Sequence, residues 1–286
     1  EVNNLLLVGN EDILMESFHK KLEFGTGGMR GLIGIGSNRI NSYTISLATQ
    51  GLCNYLNKVI DGNKSAVIAY DSRRFSKEFG NQTAKIFSAN NIKSYIFSDL
   101  RPTPELSFAV RELNCSCGIV ITASHNPKEY NGYKVYWNDG GQITSPHDNN
   151  IISEVEKITD FNQINFNFNS DLIEEIDNKI DKKYIEKIQD LSVYDNSRSK
   201  LKIIFSSLHG TGITQIPNAL NAFGFKNISS VKSQELPDPE FSTVTSPNPE
   251  DLDALDLGIK KLKKEKADIL LATDPDSDRV GVALYD

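Results

Sequence analysis

The sequence predicts an α/β protein built as two consecutive mixed, mostly parallel α/β sandwich domains. Three observations predict it. Short apolar runs rich in β-branched residues alternate with stretches of helical periodicity, which is the signature of βαβ units. The alternation lapses over a polar stretch near residues 144–196 and then restarts. The chain has 286 residues, enough for two domains of ordinary size.

The elements follow in order. Residues 45–59 carry Ile45, Ala48, Leu52, Tyr55, Leu56 and Val59 at helical spacing. Ala66-Val67-Ile68-Ala69-Tyr70 is a strand ending at Asp71. Residues 75–90 read as a helix interrupted by Gly80, and Ser94-Tyr95-Ile96-Phe97 as a strand. Arg101-Pro102-Thr103-Pro104 breaks the chain, a helix resumes over 105–114, and Cys117-Gly118-Ile119-Val120-Ile121-Thr122 is a third strand. The polar stretch is expected to hold a helix near 148–157, an irregular run to 169, and a helix from 171 towards 191. A linker is expected at 194–200, so the domains are taken as 1–195 and 196–286. The second unit reads as strand 201–206, helix 213–223, strand 228–231, helix 252–266, strand 267–272 and a last strand from Val280 to Leu284. Because the sequence stops in or just after a strand, more chain is expected to follow in the natural protein.

Composition narrows the function. A net charge of −7 is a modest acidic excess, which argues against a nucleic-acid partner but not against an anionic small molecule held by local Arg and Lys. No apolar run approaches the roughly 20 residues needed to cross a bilayer, and the first residues lack a signal-peptide core. Cys53, Cys115 and Cys117 give an odd count without zinc spacing. Buried free thiols in a reducing, cytoplasmic setting are the simplest reading.

Three constellations carry chemistry. In Thr122-Ala123-Ser124-His125-Asn126-Pro127 a strand ends in a small polar loop, where open α/β sheets collect ligands. Ser124 there can act as a nucleophile or phosphoryl carrier, or be part of an ordinary Ser/Asn turn. Adjacency alone does not make Ser124 and His125 a dyad. In Thr273-Asp274-Pro275-Asp276-Ser277-Asp278-Arg279 three carboxylates at alternate positions, kept out of a helix by Pro275, can converge on one hard cation. Magnesium suits them, and the EF-hand pattern is absent. Phe24-Gly25-Thr26-Gly27-Gly28-Met29-Arg30-Gly31 can bring backbone N–H groups and a guanidinium to an anion, or be a flexible turn. Three weaker candidates remain. Lys134, in Asn131-Gly132-Tyr133-Lys134, could be a general acid or base if its pKa is lowered. Arg73 and Arg74, after Asp71-Ser72, could bind phosphate or pair with acids. His209-Gly210-Thr211-Gly212 could cradle a phosphoserine or shape a sheet edge. His19 and His147 are expected to be structural.

In order and spacing these six loops together resemble the α-D-phosphohexomutase family, the phosphoglucomutases and phosphomannomutases. Tyr133-Lys134-Val135-Tyr136-Trp137, Pro237-Asp238-Pro239 and Pro247-Asn248-Pro249 are most similar to the branch that holds phosphopentomutase, glucose-1,6-bisphosphate synthase and bacterial phosphoglucomutases. The resemblance implies an isomerase acting as an intramolecular phosphotransferase. Ser124 would carry a phosphoryl group to and from a sugar monophosphate, interconverting sugar 1- and 6-phosphates (glucose, or mannose) through a bound bisphosphate. It further implies one Mg2+ held by Ser124, Asp274, Asp276 and Asp278, with glucose 1,6-bisphosphate as activator or intermediate. Ser124, His125, Lys134 and Arg30 would be catalytic, with Lys134 and His125 moving protons. Thr26, Arg30, Arg73, Lys134, His209 and Arg279 would bind substrate, and Arg30 and Arg279 would steady the phosphoserine and the acids. The alternatives are a phosphopentomutase, a bisphosphate synthase, or a non-catalytic sugar-phosphate-binding fragment. The family has four domains, and its third- and fourth-domain loops have no counterpart here. The chain is therefore expected to be an N-terminal catalytic half, weak as a mutase without its remaining C-terminal domains.

Overall fold

Cys117–Ile121 forms a strand with every residue buried, and it is the middle strand of a seven-stranded sheet. This follows from its sequence, since a continuous apolar run suits a strand covered on both faces. The computed structural model describes residues 2–6, 10–25, 27–193 and 200–285. Within them two short helices, α1 (Val2–Leu5) and α2 (Glu11–Phe18), precede β1 (Phe24–Gly25) and β2 (Gly28–Leu32). Then come α3 (Ser42–Val59), β3 (Ser65–Tyr70), α4 (Ser76–Ala89), β4 (Lys93–Phe97), α5 (Thr103–Glu112), β5 (Cys117–Ile121) and β6 (Tyr130–Trp137). α6 (His147–Glu156), β7 (Ile173–Ile176) and α7 (Asn178–Gln189) follow.

The first sheet runs β1-β2-β6-β5-β3-β4-β7. β5, β3, β4 and β7 are mutually parallel, whereas β6, β2 and β1 add on antiparallel. Alternate residues of the central strands feed two apolar layers. Ile68, Ile119 and Ile121 pack with Ile45 and Leu52 of α3, Phe87 of α4 and Ile151 of α6. Val67, Ala69 and Val120 pack with Leu106 and Val110 of α5 and Ile180 of α7. Asn41 caps α3 by accepting from the Tyr43 and Thr44 amides, and Thr44 returns a contact to the Asn41 amide.

The second sheet, β11-β10-β8-β9, is built from β8 (Lys202–Ser206), β9 (Asn227–Ser230), β10 (Ile269–Thr273) and β11 (Val280–Leu284). β8, β9 and β10 are parallel and β11 is antiparallel. α8 (Gly212–Ala222) follows β8, and α9 (Leu252–Glu265) buries Leu255 and Leu262 against Ile204 and Leu270. Both units are thus mixed sheets with parallel centres, as the alternating pattern predicts.

Two expectations are corrected. The helix expected from 171 towards 191 is split: Ile173–Ile176 is an edge strand paired to β4, and the helix begins at Asn178. Ile-Glu-Glu-Ile has the spacing of one helical turn, but the open edge of β4 offers its backbone a ladder. Tyr130–Trp137, expected only as a loop returning Lys134, is a strand that pairs on both sides, with β5 and β2. The expected linker at 194–200 lies outside the described residues except for Lys200. No helix among the described residues is long and apolar enough to cross a membrane. All three cysteines are free and buried, and burial pushes their thiol pKa values up, Cys115 to about 11.

Candidate active site

The loop after β5 and the loop after β10 meet where the two sheets adjoin. Ser124 Oγ donates to Asp274 Oδ2 at 2.6 Å. Ser124 adopts φ 54°, a left-handed conformation that costs a non-glycine residue on the order of 1 kcal/mol. Its neighbours hold it there. The Ser124 amide donates to Thr122 Oγ1 at 2.8 Å, and the Ser124 carbonyl accepts from the Arg73 guanidinium at 2.7 Å. Asp71 braces the base of the loop by accepting from Thr122 Oγ1 at 2.6 Å, Ser76 Oγ at 2.8 Å and the Arg73 amide at 2.9 Å.

His125 Nδ1 lies 3.2 Å from Ser124 Oγ, so the adjacent pair does meet. With the hydroxyl proton directed at Asp274, the contact is satisfied when Nδ1 carries its own hydrogen and donates. Burial, reinforced by Arg279 and Arg30, lowers the His125 pKa and favours the neutral ring.

The acidic loop converges as its alternating spacing implies. One oxygen from each of Asp274, Asp276 and Asp278 lies within 4.8 Å of the others. Asp274 Oδ1 accepts from the amides of Asp278 and Arg279, both at 3.1 Å, with Ser277 at φ 57° turning the chain. Asp276 is buried; its Oδ2 accepts from Lys134 Nζ at 2.7 Å and Thr103 Oγ1 at 2.8 Å. Asp276 Oδ1 is buried and has no partner among the described residues. Burial, then the charges of Asp276 and Asp278, push Asp274 up to about 8. An orphaned buried carboxylate oxygen beside two further carboxylates fits a divalent cation that prefers oxygen ligands, whose charge would offset this cost.

Lys134 reaches the site from β6. It bridges Asp276 and Asp278 at 2.7 and 2.9 Å with its side chain 10% exposed. Burial draws its pKa down, but the two carboxylates outweigh burial and the net shift is upward. The lowered pKa on which its use as a base depended is therefore absent, and Lys134 stands here as a charged donor. Arg30 is exposed at the rim and donates to Asn126 Oδ1 at 2.8 Å. Arg279 touches Asp274 through its backbone amide, while its guanidinium donates to Glu250 at 3.0 Å.

Two expected phosphate binders point elsewhere. Arg73 has a side chain with no exposed surface, and its guanidinium donates to the carbonyls of Ser124, Asn126, Pro127 and Tyr130. His209 is buried, with Nδ1 3.2 Å from the Leu236 carbonyl and Nε2 2.9 Å from Thr243 Oγ1. Thr26 lies outside the described residues. The glycines around His209 do bring chains together. A Cβ on Gly210 would sit 2.3 Å from Pro275 Cα, and the Thr211 amide donates to the Pro275 carbonyl at 2.7 Å. His147 stacks on Trp137 at 4.1 Å and its Nδ1 meets Tyr55 Oη at 2.8 Å, a packing arrangement remote from the serine. Sequence reasoning missed Thr103, whose amide also donates to the Asp276 carbonyl at 2.8 Å. A threonine between two prolines after a strand was its only signal.

Fold and site define an α/β protein in which a serine loop of one sheet and an acidic loop of the next form a single centre. Comparison with known proteins sharpens this. The phosphoglucomutase/phosphomannomutase α/β/α domain I matches residues 21–162 and domain II of the same family matches residues 182–286. The chain belongs to the phosphoglucomutase/phosphomannomutase family. It is 41% identical over 274 residues to a phosphoglucomutase of Staphylococcus aureus (strain MRSA252), covering 95% of this chain and 49% of that protein. It is 42% identical over 270 residues to the phosphoglucomutase of Staphylococcus haemolyticus (strain JCSC1435), covering 93% and 49%. A solved structure described as a phosphomannomutase of Thermus thermophilus superimposes with a TM-score of 0.80 at 26% identity, over 93% of this chain and 57% of that one. The chain spans about half the length of the curated relatives it matches.

Proposed function

We propose that this chain carries the phosphoryl-transfer half of a phosphosugar mutase that interconverts sugar 1- and 6-phosphates, with glucose or mannose as the sugar. The observation that supports it most is Ser124 Oγ at 2.6 Å from Asp274, within a carboxylate cluster that retains an unpartnered oxygen on Asp276. In this reading Ser124 holds the phosphoryl group that passes to the sugar hydroxyl and returns from the bisphosphate, glucose 1,6-bisphosphate for glucose. Asp274, Asp276 and Asp278, together with the Ser124 phosphate, would hold Mg2+, which when bound supplies positive charge against the transferring oxygens. His125, neutral and in contact with Oγ, positions the serine and can exchange a proton with it. Lys134 presents a charged donor to the incoming oxygens, and Arg30 and Arg279 stand at the rim for phosphate. The relatives extend to about twice this length, which leaves room beyond the matched part for groups that would select the sugar and grip its far phosphate. The domains divide near residue 195, and the buried free thiols accord with a cytoplasmic protein.

Intact mass with phosphosite mapping, with and without Mg2+ and glucose 1,6-bisphosphate, tests this reading. Phosphate on Ser124 is the expected result. Its absence under every condition overturns the proposal.

A further inference from the structure

Residues 236–250 follow β9 in the second unit, yet Glu240, Phe241 and Ser246 among them bond to the serine loop of the first or to side chains beside it. Phe241 is 1% exposed and has φ 47°, and its ring lies beneath the Arg73 guanidinium at 5.0 Å. Arg73 is the side chain that gathers the Ser124, Asn126, Pro127 and Tyr130 carbonyls. Asp71 lies 3.3 Å from its Nε, but that N–H makes no hydrogen bond, so the ring face is its other electrostatic partner. Glu240 accepts from Arg74, the residue after Arg73, and from Lys128, the residue after Pro127 of the serine loop. Ser246 Oγ donates to the His125 carbonyl at 3.0 Å.

The segment is itself held in shape. Both ring nitrogens of His209 contact it, and Asp238 accepts from the amides of Glu240 and Ser242. Its last residue, Glu250, also accepts from Arg279 at the end of the acidic loop, but none of the bonds named here reaches Ser124 Oγ or a triad carboxylate, so the segment is built to position, not to react.

We propose that residues 236–250 form a strap from the second sheet that sets the Ser124 loop, with Phe241 and Glu240 as its positioning residues. The ring beneath Arg73 fixes where the four carbonyls can lie, and hence where Ser124 Oγ points. Glu240 trims the position from outside, more weakly because its ion pairs are partly solvated. The consequence for phosphoryl uptake rests on the function proposed above; the consequence for loop order does not.

The test compares wild type with Phe241→Leu, which nearly keeps volume but removes the aromatic face. Three quantities are read: amide exchange over residues 123–130, the rate at which Ser124 takes phosphate from glucose 1,6-bisphosphate with Mg2+, and Mn2+ affinity. The expected result is exchange about tenfold faster and phosphate uptake about tenfold slower, the size of a desolvated cation–π contact, with Mn2+ affinity unchanged. Glu240→Lys is expected to slow uptake about threefold, and adding Lys128→Glu to recover part of it. Unchanged exchange and uptake in Phe241→Leu overturn the strap, as does an equal loss of Mn2+ affinity, which would mark a general loss of fold. If wild type takes no phosphate the mutase reading fails, and amide exchange still decides the strap.

Discussion

The serine loop and the acidic loop begin alike and are built differently. Each leaves an apolar strand, β5 or β10, and each turns at a serine of positive φ, Ser124 or Ser277. The acidic loop is then set by backbone: amides of Asp278 and Arg279 reach back to Asp274, and Gly210 lets the neighbouring chain approach Pro275. The serine loop is set by side chains drawn from distant segments, among them Asp71, Thr122 and Arg73. A loop held by its own backbone tolerates side-chain change around it. One held by a buried guanidinium does not.

Four experiments break or sharpen that contrast, from the largest expected effect to the smallest. Ser124→Ala should lower phosphate incorporation by at least about a thousandfold, since it removes the hydroxyl proposed to carry the group; labelling at wild-type level would remove the serine from the reaction. Asp276→Asn should weaken Mn2+ binding by about a hundredfold, and Thr103→Val, which removes only the bond to Asp276 Oδ2, by about tenfold; titration calorimetry or electron paramagnetic resonance measures both. Gly210→Ala should destabilise the fold by about 1–3 kcal/mol, because its Cβ meets the Pro275 backbone and not a movable side chain. An unchanged melting temperature would mean that the close approach is not needed.

The smallest effect, taken per pH unit, concerns pH. Glu105 on α5 has no exposed surface, and burial, then the neighbouring Asp181, push its pKa from 4.5 to about 9. Asp181 keeps its charge through Arg101, which donates to both its oxygens at 2.9 Å. Between those two pH values the folded state holds a proton that the unfolded chain has released. Stability should therefore be fullest below about pH 4.5 on this account and decline towards pH 9, by at most about 1.4 kcal/mol for each pH unit crossed. Denaturation curves of Glu105→Gln should lack that decline; a slope identical to wild type would show that Glu105 is ionised in the fold.

What can be read in the sequence follows the same division. The central strands β3, β5 and β8 are legible because burial on both faces leaves an almost unbroken apolar run, and β10 because its run is equally apolar although Ile269 and Leu271 are half-buried. The triad is legible because alternate aspartates in one short loop, kept out of a helix by Pro275, can converge on a single point. β7 is not, because an edge strand is selected by the neighbour it pairs with, and its four residues also suit a helix. Arg73 and His209 stand out as residues of the site, but their bonding does not. Whether a guanidinium faces a cleft or four carbonyls depends on the path of residues 124–130, which no local pattern encodes. Thr103 and Phe241 are invisible for the same reason: their partners lie far along the chain, on the other side of the joint.

One detail of the packing gives the molecule an internal voltmeter for that joint. Its sole tryptophan, Trp137, and all three cysteines lie in the first unit, on β6, α3 and β5 or just before it. The second sheet contributes neither an indole signal nor a thiol. Tryptophan fluorescence and thiol labelling therefore watch the first sheet alone. Any change in them caused by a substitution at Phe241, Glu240 or Gly210 has crossed from one sheet to the other, and its size measures how strongly the two are coupled.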